Sequence, residues 1–420
     1  MTGGQPELDL EVGPVASGGM CVARDGDRVV FVRHALPGEL VRARITEQRA
    51  RYARADAVEV LRASPDRVSP PCQHAGPGRC GGCDWQHAAL PAQRAGKAAV
   101  IREQLRRLAG LDVEVEVEAL AGCPDGLGWR TRVQFAVGAD AVVGLRRHRS
   151  HEIEPLTACP LAHPLVEDLG VERRRWPGAA LVEVAVAAAT RDRAVVVTAA
   201  SGGVEPFTPP LDAAHALLTV GRDGPLARHG RPGVRERAFG RQFRVSGRGF
   251  WQVHPAAAET FSAAVCAFLA PRPGERAVDL YSGVGLFAAA LAERVGAEGR
   301  VTAVESDRDA AADAAVNLAD LPQVQVLNAR VDPRRLGSLG RSDVVVLDPP
   351  RAGAGAAVVA AIVGLRPRAV AYVACDPSAL ARDVASFAAQ GYRLTGLRAF
   401  DAFPMTGHVE CIGLLVPEPR

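Results

Sequence analysis

From Phe250 to the C-terminus, apolar runs and helical stretches take turns. RAVDLYSGVG reads as a strand and a glycine turn, LFAAALAERVG as a helix, RVTAVESD as a strand and RDAAADAAVNLADL as a helix. DVVVLDPPRAG, RAVAYVACDP and SALARDVASFAAQG continue the series as strand with loop, strand, and helix. Such a βαβ series predicts a doubly wound, mostly parallel sheet. In sheets of that kind ligands bind beyond the carboxyl ends of the strands. The residues at those tips are therefore where chemistry is expected.

The 420 residues leave room for two or three domains. Between Leu8 and Leu61 short strands (LDLEVGPV, RVVFVRHAL, LVRARITEQ, ADAVEVLRA) are punctuated by Gly and Pro turns. Several such strands in so short a span suggest a small barrel of the oligonucleotide-binding kind. SPDRVSPPC reads as a Pro-rich linker, and HAALPAQRAGKAAVIREQLRRLAG as a helix with apolar residues at helical spacing. The expected division is a multidomain α/β chain: a β-barrel at 1–63, a central α+β domain with clustered cysteines at 64–245, and a Rossmann-like domain at 246–420. The helix at about 88–110 is expected to pack on the last of these.

Charge is nearly balanced over the whole chain, at +3. From Val41 to Gly110, however, thirteen Arg and Lys face six Asp and Glu. That surface could meet phosphates, although an Arg-rich composition with Lys97 as its single lysine allows a blander origin. The start, MTGGQPELDL, lacks the charged and apolar pattern of a secretory signal, and no apolar run reaches about 18 residues. A cytoplasmic protein without a membrane span is expected. Nine cysteines in such a chain point to free thiols, metal ligands or catalysis rather than a disulfide framework.

At the tip of the first parallel strand stands Asp279, followed by Tyr281, Ser282, Gly283, Val284 and Gly285. The glycines let a ligand approach the backbone. The third glycine of a dinucleotide fingerprint is missing, and an acid precedes the turn. That suits a cationic ligand without phosphate. The second strand ends at Glu305, which can accept from both hydroxyls of a ribose. The third ends at Asp348 and the fourth at Cys375. A glycine turn, a ribose acid and an Asp-Pro-Pro tip, in that order, point to S-adenosylmethionine.

GFWQVH, DLYSGVGLF, LDPPRAG, ACDPSALARD and HVEC together resemble the motifs of the RNA uracil-5-methyltransferase family, class I S-adenosylmethionine-dependent enzymes that make 5-methyluridine in tRNA or ribosomal RNA. VVFVRHALPGE resembles a TRAM domain, an RNA-binding barrel. The resemblance spans nearly the whole chain. It implies that Gln252, Tyr281, Gly283, Glu305 and Asp348 contact the cofactor or the target base, that Cys375 is the nucleophile, and that Glu410 is the base. Phe250 or Trp251 could stack on a base, a contact worth roughly 1–3 kcal/mol. The chain departs from the pattern at Leu286 and at Asp376, where members often carry Asn. Asn328 lies near the region expected to touch adenine.

Carbon 5 of uracil is a poor nucleophile. A thiolate adding to carbon 6 turns the ring into an enolate whose carbon 5 can attack a methyl sulfonium, which is why this chemistry needs a cysteine. A carboxylate must then remove the carbon-5 proton. On its own, Cys375 would read as a small buried hydrophobe, as Cys266 does in AAVCAFLA; Cys21 and Cys123 carry no signal. Cys72, Cys80, Cys83 and Cys159 suit an iron–sulfur cluster or zinc, and the resemblance implies a [4Fe-4S] cluster, with seven residues between Cys72 and Cys80 rather than the shorter gap usual in the family. Ribosomal 23S RNA is the expected partner, with tRNA open and no protein partner implied. Rival readings are a cytosine-5 methyltransferase, an amino-group RNA methyltransferase and a non-catalytic RNA-binding metalloprotein.

Overall fold

The computed structural model describes residues 6–200, 216–221, 224–230 and 233–419. Five strands, β1 (Glu7–Val15), β2 (Cys21–Asp25), β3 (Arg28–Arg33), β4 (Leu40–Gln48) and β5 (Tyr52–Arg62), close a barrel in the order β1-β2-β3-β5-β4. Alternate residues turn inward: Leu10 and Val12, Val30 and Val32, Val41 and Ala43, Ala53 and Ala55 fill the barrel. One-sided burial of this sort fixes strand register. Below the barrel Glu39 is fully buried. Its carboxylate accepts from the amides of Leu36 (2.8 Å) and Ser64 (3.1 Å) and from Arg67 Nε (2.5 Å) and Nη2 (2.7 Å). These bonds tie the barrel to the linker that leaves it.

Helix α1 (Leu90–Ala109) starts with Pro at its first turn and ends on Gly110 in the left-handed region, as such helices should. It does not stay with its sequence neighbours. Ala98, Ile101 and Leu105 share one core with Leu380, Val384 and Phe387 of the C-terminal domain. Strand β6 (Val117–Ala119) also leaves the central segment and adds to the edge of the C-terminal sheet, parallel to its neighbour.

The central region is built on β7 (Arg132–Val137), β8 (Val143–Arg146), β9 (Ile153–Pro155), the short helix α2 (Pro164–Glu167), β10 (Ala179–Val186), β11 (Arg193–Ala199), β12 (Ala216–Gly221) and β13 (Gly224–Gly230). Its strands form a seven-stranded sheet in the order β13-β12-β11-β10-β7-β8-β9. A hairpin, β14 (Gly233–Ala238) and β15 (Arg241–Ser246), then leads into α3 (Ala257–Leu269).

The C-terminal sheet is made of β16 (Arg276–Leu280), β17 (Arg300–Glu305), β18 (Val324–Asn328), β19 (Val344–Leu347), β20 (Ala369–Ala374), β21 (Tyr392–Asp401) and β22 (Glu410–Pro417), with β6 at its edge. The helices between are α4 (Leu286–Val295), α5 (Arg308–Asn317), α6 (Pro333–Gly337), α7 (Ala356–Gly364) and α8 (Pro377–Ala388). Strand order is β18-β17-β16-β19-β20-β22-β21-β6. The first five run parallel, and β22 runs antiparallel to both β20 and β21. Every residue of β19 and β20 is buried, as expected for strands covered by helices on both faces. Among the described residues no helix is long and apolar enough to cross a membrane.

Burial alone would raise the Glu39 carboxyl, but the Arg67 guanidinium and the two amides outweigh it and hold it below the usual value. Its contribution is therefore complete above the unfolded value of about 4.3 and is lost as pH falls through the lower folded value. Glu39→Gln should lower unfolding free energy by about 1.5–3 kcal/mol at pH 7, the range for hydrogen bonds to a charged group. The difference from the parent should shrink on acidification below pH 4, checked by denaturant titration at both pH values.

Candidate active site

Asp279, at the tip of β16, is fully buried. One carboxyl oxygen accepts from the Ala288 amide of α4 at 2.8 Å, and the other has no protein partner. Burial and the nearby acids Asp348 and Glu305 raise its carboxyl well above the ordinary range, with the Ala288 amide opposing. The chain then turns through Tyr281, whose φ of 61° lies in the left-handed region. A non-glycine residue held there costs about 1–3 kcal/mol and marks functional loops. At Gly285 φ is 92°, and a Cβ would sit 2.7 Å from the Leu318 side chain, so only glycine fits.

Glu305 ends β17 and shapes that turn. Its Oε2 accepts from the Gly283 amide at 2.9 Å and its Oε1 from the Asp307 amide at 2.6 Å. Asn328 lies opposite Glu305 in the β17–β18 register, but its side-chain amide donates to the carbonyls of Glu305 (3.0 Å) and Ser306 (3.3 Å). Its side chain thus braces this backbone. Phe250, Gln252, Tyr281, Gly283, Leu286 and Asp348 line one cleft of about 350 Å³ of empty space. Glu305 reaches its rim through Gly283. Of the two candidate stacking rings, Trp251 is buried against Phe243 with centroids 5.2 Å apart, whereas Phe250 is 63% exposed.

Cys375 and Glu410 lie past Asp348. Ala374 pairs with Cys411 in the antiparallel β20–β22 register, so one further step sets Cys375 opposite Glu410. The same parity puts Cys411 on the opposite face, where it belongs to the core with Ala374. Asp376 caps α8, accepting from the Ala379 amide at 2.7 Å, so the chain turns into a helix directly behind the thiol. Burial, then Glu410 and Asp348, push the Cys375 thiol up to about 11, with Arg351 opposing. Burial raises Asp348 to about 7. Glu410, 4% exposed, is raised well above its ordinary value by burial and then by Asp348, again with Arg351 opposing. The Cys375 thiol thus feels two carboxyls, each raised by burial, and the opposing charge of Arg351, an arrangement suited to proton transfer.

In the central region Cys72, Cys80, Cys83 and Cys159 line one cavity. Burial raises the thiols of Cys80, Cys83 and Cys159. The sulfurs also collect N–H donors: His74 N to Cys72 (3.4 Å), Gly82 N to Cys80 (3.4 Å) and Gln86 Nε2 to Cys83 (3.1 Å). Among the described residues, no three metal-binding side chains converge on a single ion. The rings of His74 and His87 are turned to Glu154 and to the Ala35 carbonyl. Sequence reasoning named the residues at each strand tip but missed those that hold the loop ahead of Glu410, which come from the central region and carry no motif.

Residues 6–58 match the TRAM domain family and residues 241–418 the family described as tRNA (Uracil-5-)-methyltransferase. An uncharacterized RNA methyltransferase of Streptomyces coelicolor is 52% identical over 99% of this chain and 93% of its own length. The 23S rRNA (uracil(1939)-C(5))-methyltransferase RlmD of Pectobacterium atrosepticum is 31% identical over 97% of this chain and 93% of its own. The fold is also that of the Pyrococcus abyssi tRNA (uracil-54, C5)-methyltransferase solved with S-adenosyl-L-homocysteine, with a TM-score of 0.72, 22% identity, and coverage of 97% of this chain and 100% of that one. A barrel at the front, a methyltransferase sheet at the back and relatives matched end to end make this chain a member of the S-adenosylmethionine-dependent RNA uracil-5-methyltransferase family.

Proposed function

We propose that this enzyme methylates carbon 5 of a specific uridine in 23S ribosomal RNA through a covalent bond from Cys375 to carbon 6. The observation that carries the reading is the register that sets Cys375 against Glu410, with Asp348 beside them at the edge of the cleft. In this reading Cys375 Sγ bonds to carbon 6, and the electron pair of the carbon 5–carbon 6 bond moves onto the ring as an enolate. S-adenosylmethionine supplies the electrophilic methyl that carbon 5 takes. Glu410 removes the carbon-5 proton, the carbon 6–sulfur bond breaks and the ring double bond returns. The thiol must lose its proton first; the Asp348 carboxyl, held at about 7, is the acceptor whose value best matches that task near neutral pH.

For the cofactor, Glu305 would accept from the ribose hydroxyls, and Gln252, Tyr281, Gly283 and Asp348 would line the remainder. The exposed ring of Phe250 would stack on an RNA base. At Leu286 no polar side chain is offered, so that contact to the cofactor is either missing or replaced by backbone. The preference for 23S RNA rests on the RlmD relative, similar along the whole length. A tRNA target is the second reading, favoured by the fold shared with the Pyrococcus enzyme. Either target suits a cytoplasmic protein. The Cys72, Cys80, Cys83 and Cys159 cavity would hold a [4Fe-4S] cluster. Four thiols around one cavity, with amide donors at the sulfurs, suit a group larger than one ion better than the close tetrahedron of zinc, where Zn–S is about 2.3 Å. Its role would be in folding or RNA binding, since methyl transfer moves no single electrons.

Cys375→Ala should cut methylation by at least about 10³-fold, as loss of a covalent nucleophile does, and abolish any denaturation-resistant RNA adduct. Glu410→Gln should instead trap the adduct. Normal turnover in the first variant would overturn the nucleophile, and normal turnover in the second the base. Mass mapping of 5-methyluridine in RNA from cells lacking the enzyme would identify the target.

In the free enzyme, alkylation of Cys375 by iodoacetamide at pH 8 should be about 100-fold slower than for a thiol at 9.0, because thiolate fraction falls tenfold per unit. Asp348→Asn removes one of the neighbouring charges and should speed it, as followed by peptide mass spectrometry. Anaerobically purified protein should carry about four iron atoms per chain and little zinc. Stoichiometric zinc without iron would replace the cluster by the zinc alternative.

A further inference from the structure

Between β21 and β22 runs the loop Ala402–Val409, which delivers Glu410 to the cleft. The chain has 50 basic residues, and Lys97 is the single lysine among them. It is not on the surface. Lys97 is 1% exposed, on the face of α1 turned to this loop. Its Nζ donates to Asp401 Oδ1 at 2.5 Å and to the Phe403 carbonyl at 3.0 Å, and sits 5.9 Å from the centre of the Trp85 ring. Asp401 is 2% exposed, and the residue before it, Phe400, is the β-partner of Glu410. A compact ammonium with three donors fits such a place, where the broad guanidinium used everywhere else would not.

One turn earlier on α1, Gln93 grips the same loop. Its Oε1 accepts from the Met405 amide at 2.8 Å, and its Nε2 donates to the carbonyls of Trp85 (3.0 Å) and Ala88 (2.9 Å). The Met405 carbonyl accepts from the amides of Asp84 and Trp85, both at 3.0 Å, and Asp84 Oδ2 accepts from the Gly407 amide at 3.1 Å. Met405 itself has φ of 66°. A left-handed methionine persists only where its surroundings over-determine it, and here they do so from a segment more than three hundred residues away.

We propose that Lys97, with Gln93 as its companion, is a positioning residue for the base of the reaction: its bonds to Asp401 and Phe403 set the height at which the loop releases Glu410 beside Cys375. This rests on the reading of Cys375 as nucleophile and Glu410 as base. A mere fold staple, once cut, lowers stability and all activities together. A positioning residue, once cut, slows one step, the removal of the carbon-5 proton, and leaves the enzyme stalled as the covalent adduct.

The test uses the full-length enzyme with an RNA substrate on denaturing gels. RNA carrying 5-fluorouridine at the target position first tests the underlying reading, because fluorine cannot leave as a proton and the wild-type adduct must persist. If none forms, Cys375 chemistry is wrong and this proposal falls with it. With ordinary uridine RNA, the neutral pair Lys97→Met/Asp401→Asn should lose about 10–100-fold in kcat, keep its KM for S-adenosylmethionine within about twofold, and accumulate methylated adduct that the wild type does not. Gln93→Ala, which removes no charge, should show the same accumulation in milder form and serves if the double variant fails to fold by circular dichroism. Unchanged kcat in folded variants, or slower turnover without adduct, would overturn the proposal while the 5-fluorouridine result left the Cys375 reading standing.

Discussion

The site depends on the antiparallel pairing of β22 with β20, the last strand of the parallel series. Parallel strands alone bring their carboxyl ends to the same edge and can place Asp279, Glu305, Asp348 and Cys375 in a row. On the other side of β20 a parallel neighbour would present its last residue too; an antiparallel one presents its first. Because β22 runs against β20, its first residue meets the last of its neighbour, and Glu410 arrives where Cys375 leaves. A one-residue slip of that register would turn Cys411 into the cleft and Glu410 into the core, since side chains alternate between the two faces. The apolar residues that follow, Ile412 on one face and Cys411 and Leu415 on the other, are each buried in their own cluster and hold the register.

Burying three carboxyl groups close together is costly unless they hold protons or find a partner. The structure uses both means. Asp279 and Glu410 are driven toward the neutral form, Asp348 stands near neutrality, and Arg351 supplies the positive charge felt by Glu410 and Cys375. Glu305 is treated differently. It stays at the rim and is bound by two backbone amides, so its carboxylate is used in shaping the glycine turn. Two acids in successive strand tips thus end with different duties because one is desolvated and the other is hydrogen-bonded.

Much of this could be read in the chain beforehand. The parallel strands were legible because their apolar runs are continuous and broken by glycine turns, and strand tips announce themselves as the first polar residue after such a run. Asp348 and Cys375 follow from that rule. The choice between Phe250 and Trp251 did not, because it turns on Phe243 claiming the indole for the core. The departure at Asp376 became intelligible only as the cap of α8, a task that Asp performs as well as Asn. Strand β6, three residues long, gives no periodicity to detect, and although α1 was expected to pack on the C-terminal domain, nothing in its apolar stripe named α8 as the helix it meets. Lys97 was hidden most thoroughly. In an Arg-rich chain a charged residue on an Ala-rich helix reads as solvated surface, and its partner lies 304 positions away.

The path of α1 and β6 also explains how an RNA-binding front end can be held at a fixed distance from a cleft built by the other end of the chain. Were the barrel joined by its Pro-rich linker alone, its position would vary with the linker. Instead the segment after Cys83 is bonded to the loop before Glu410, and α1 shares a core with α8. The barrel itself touches the same loop: Trp85 Nε1 donates to the Gly19 carbonyl at 2.7 Å, and a Cβ on Gly407 would lie 2.8 Å from the Gly19 Cα. Two glycines that meet back to back leave no room for a side chain between barrel and catalytic loop. Asp84 and Trp85, directly after Cys83, thus touch both the barrel and the loop that carries Glu410.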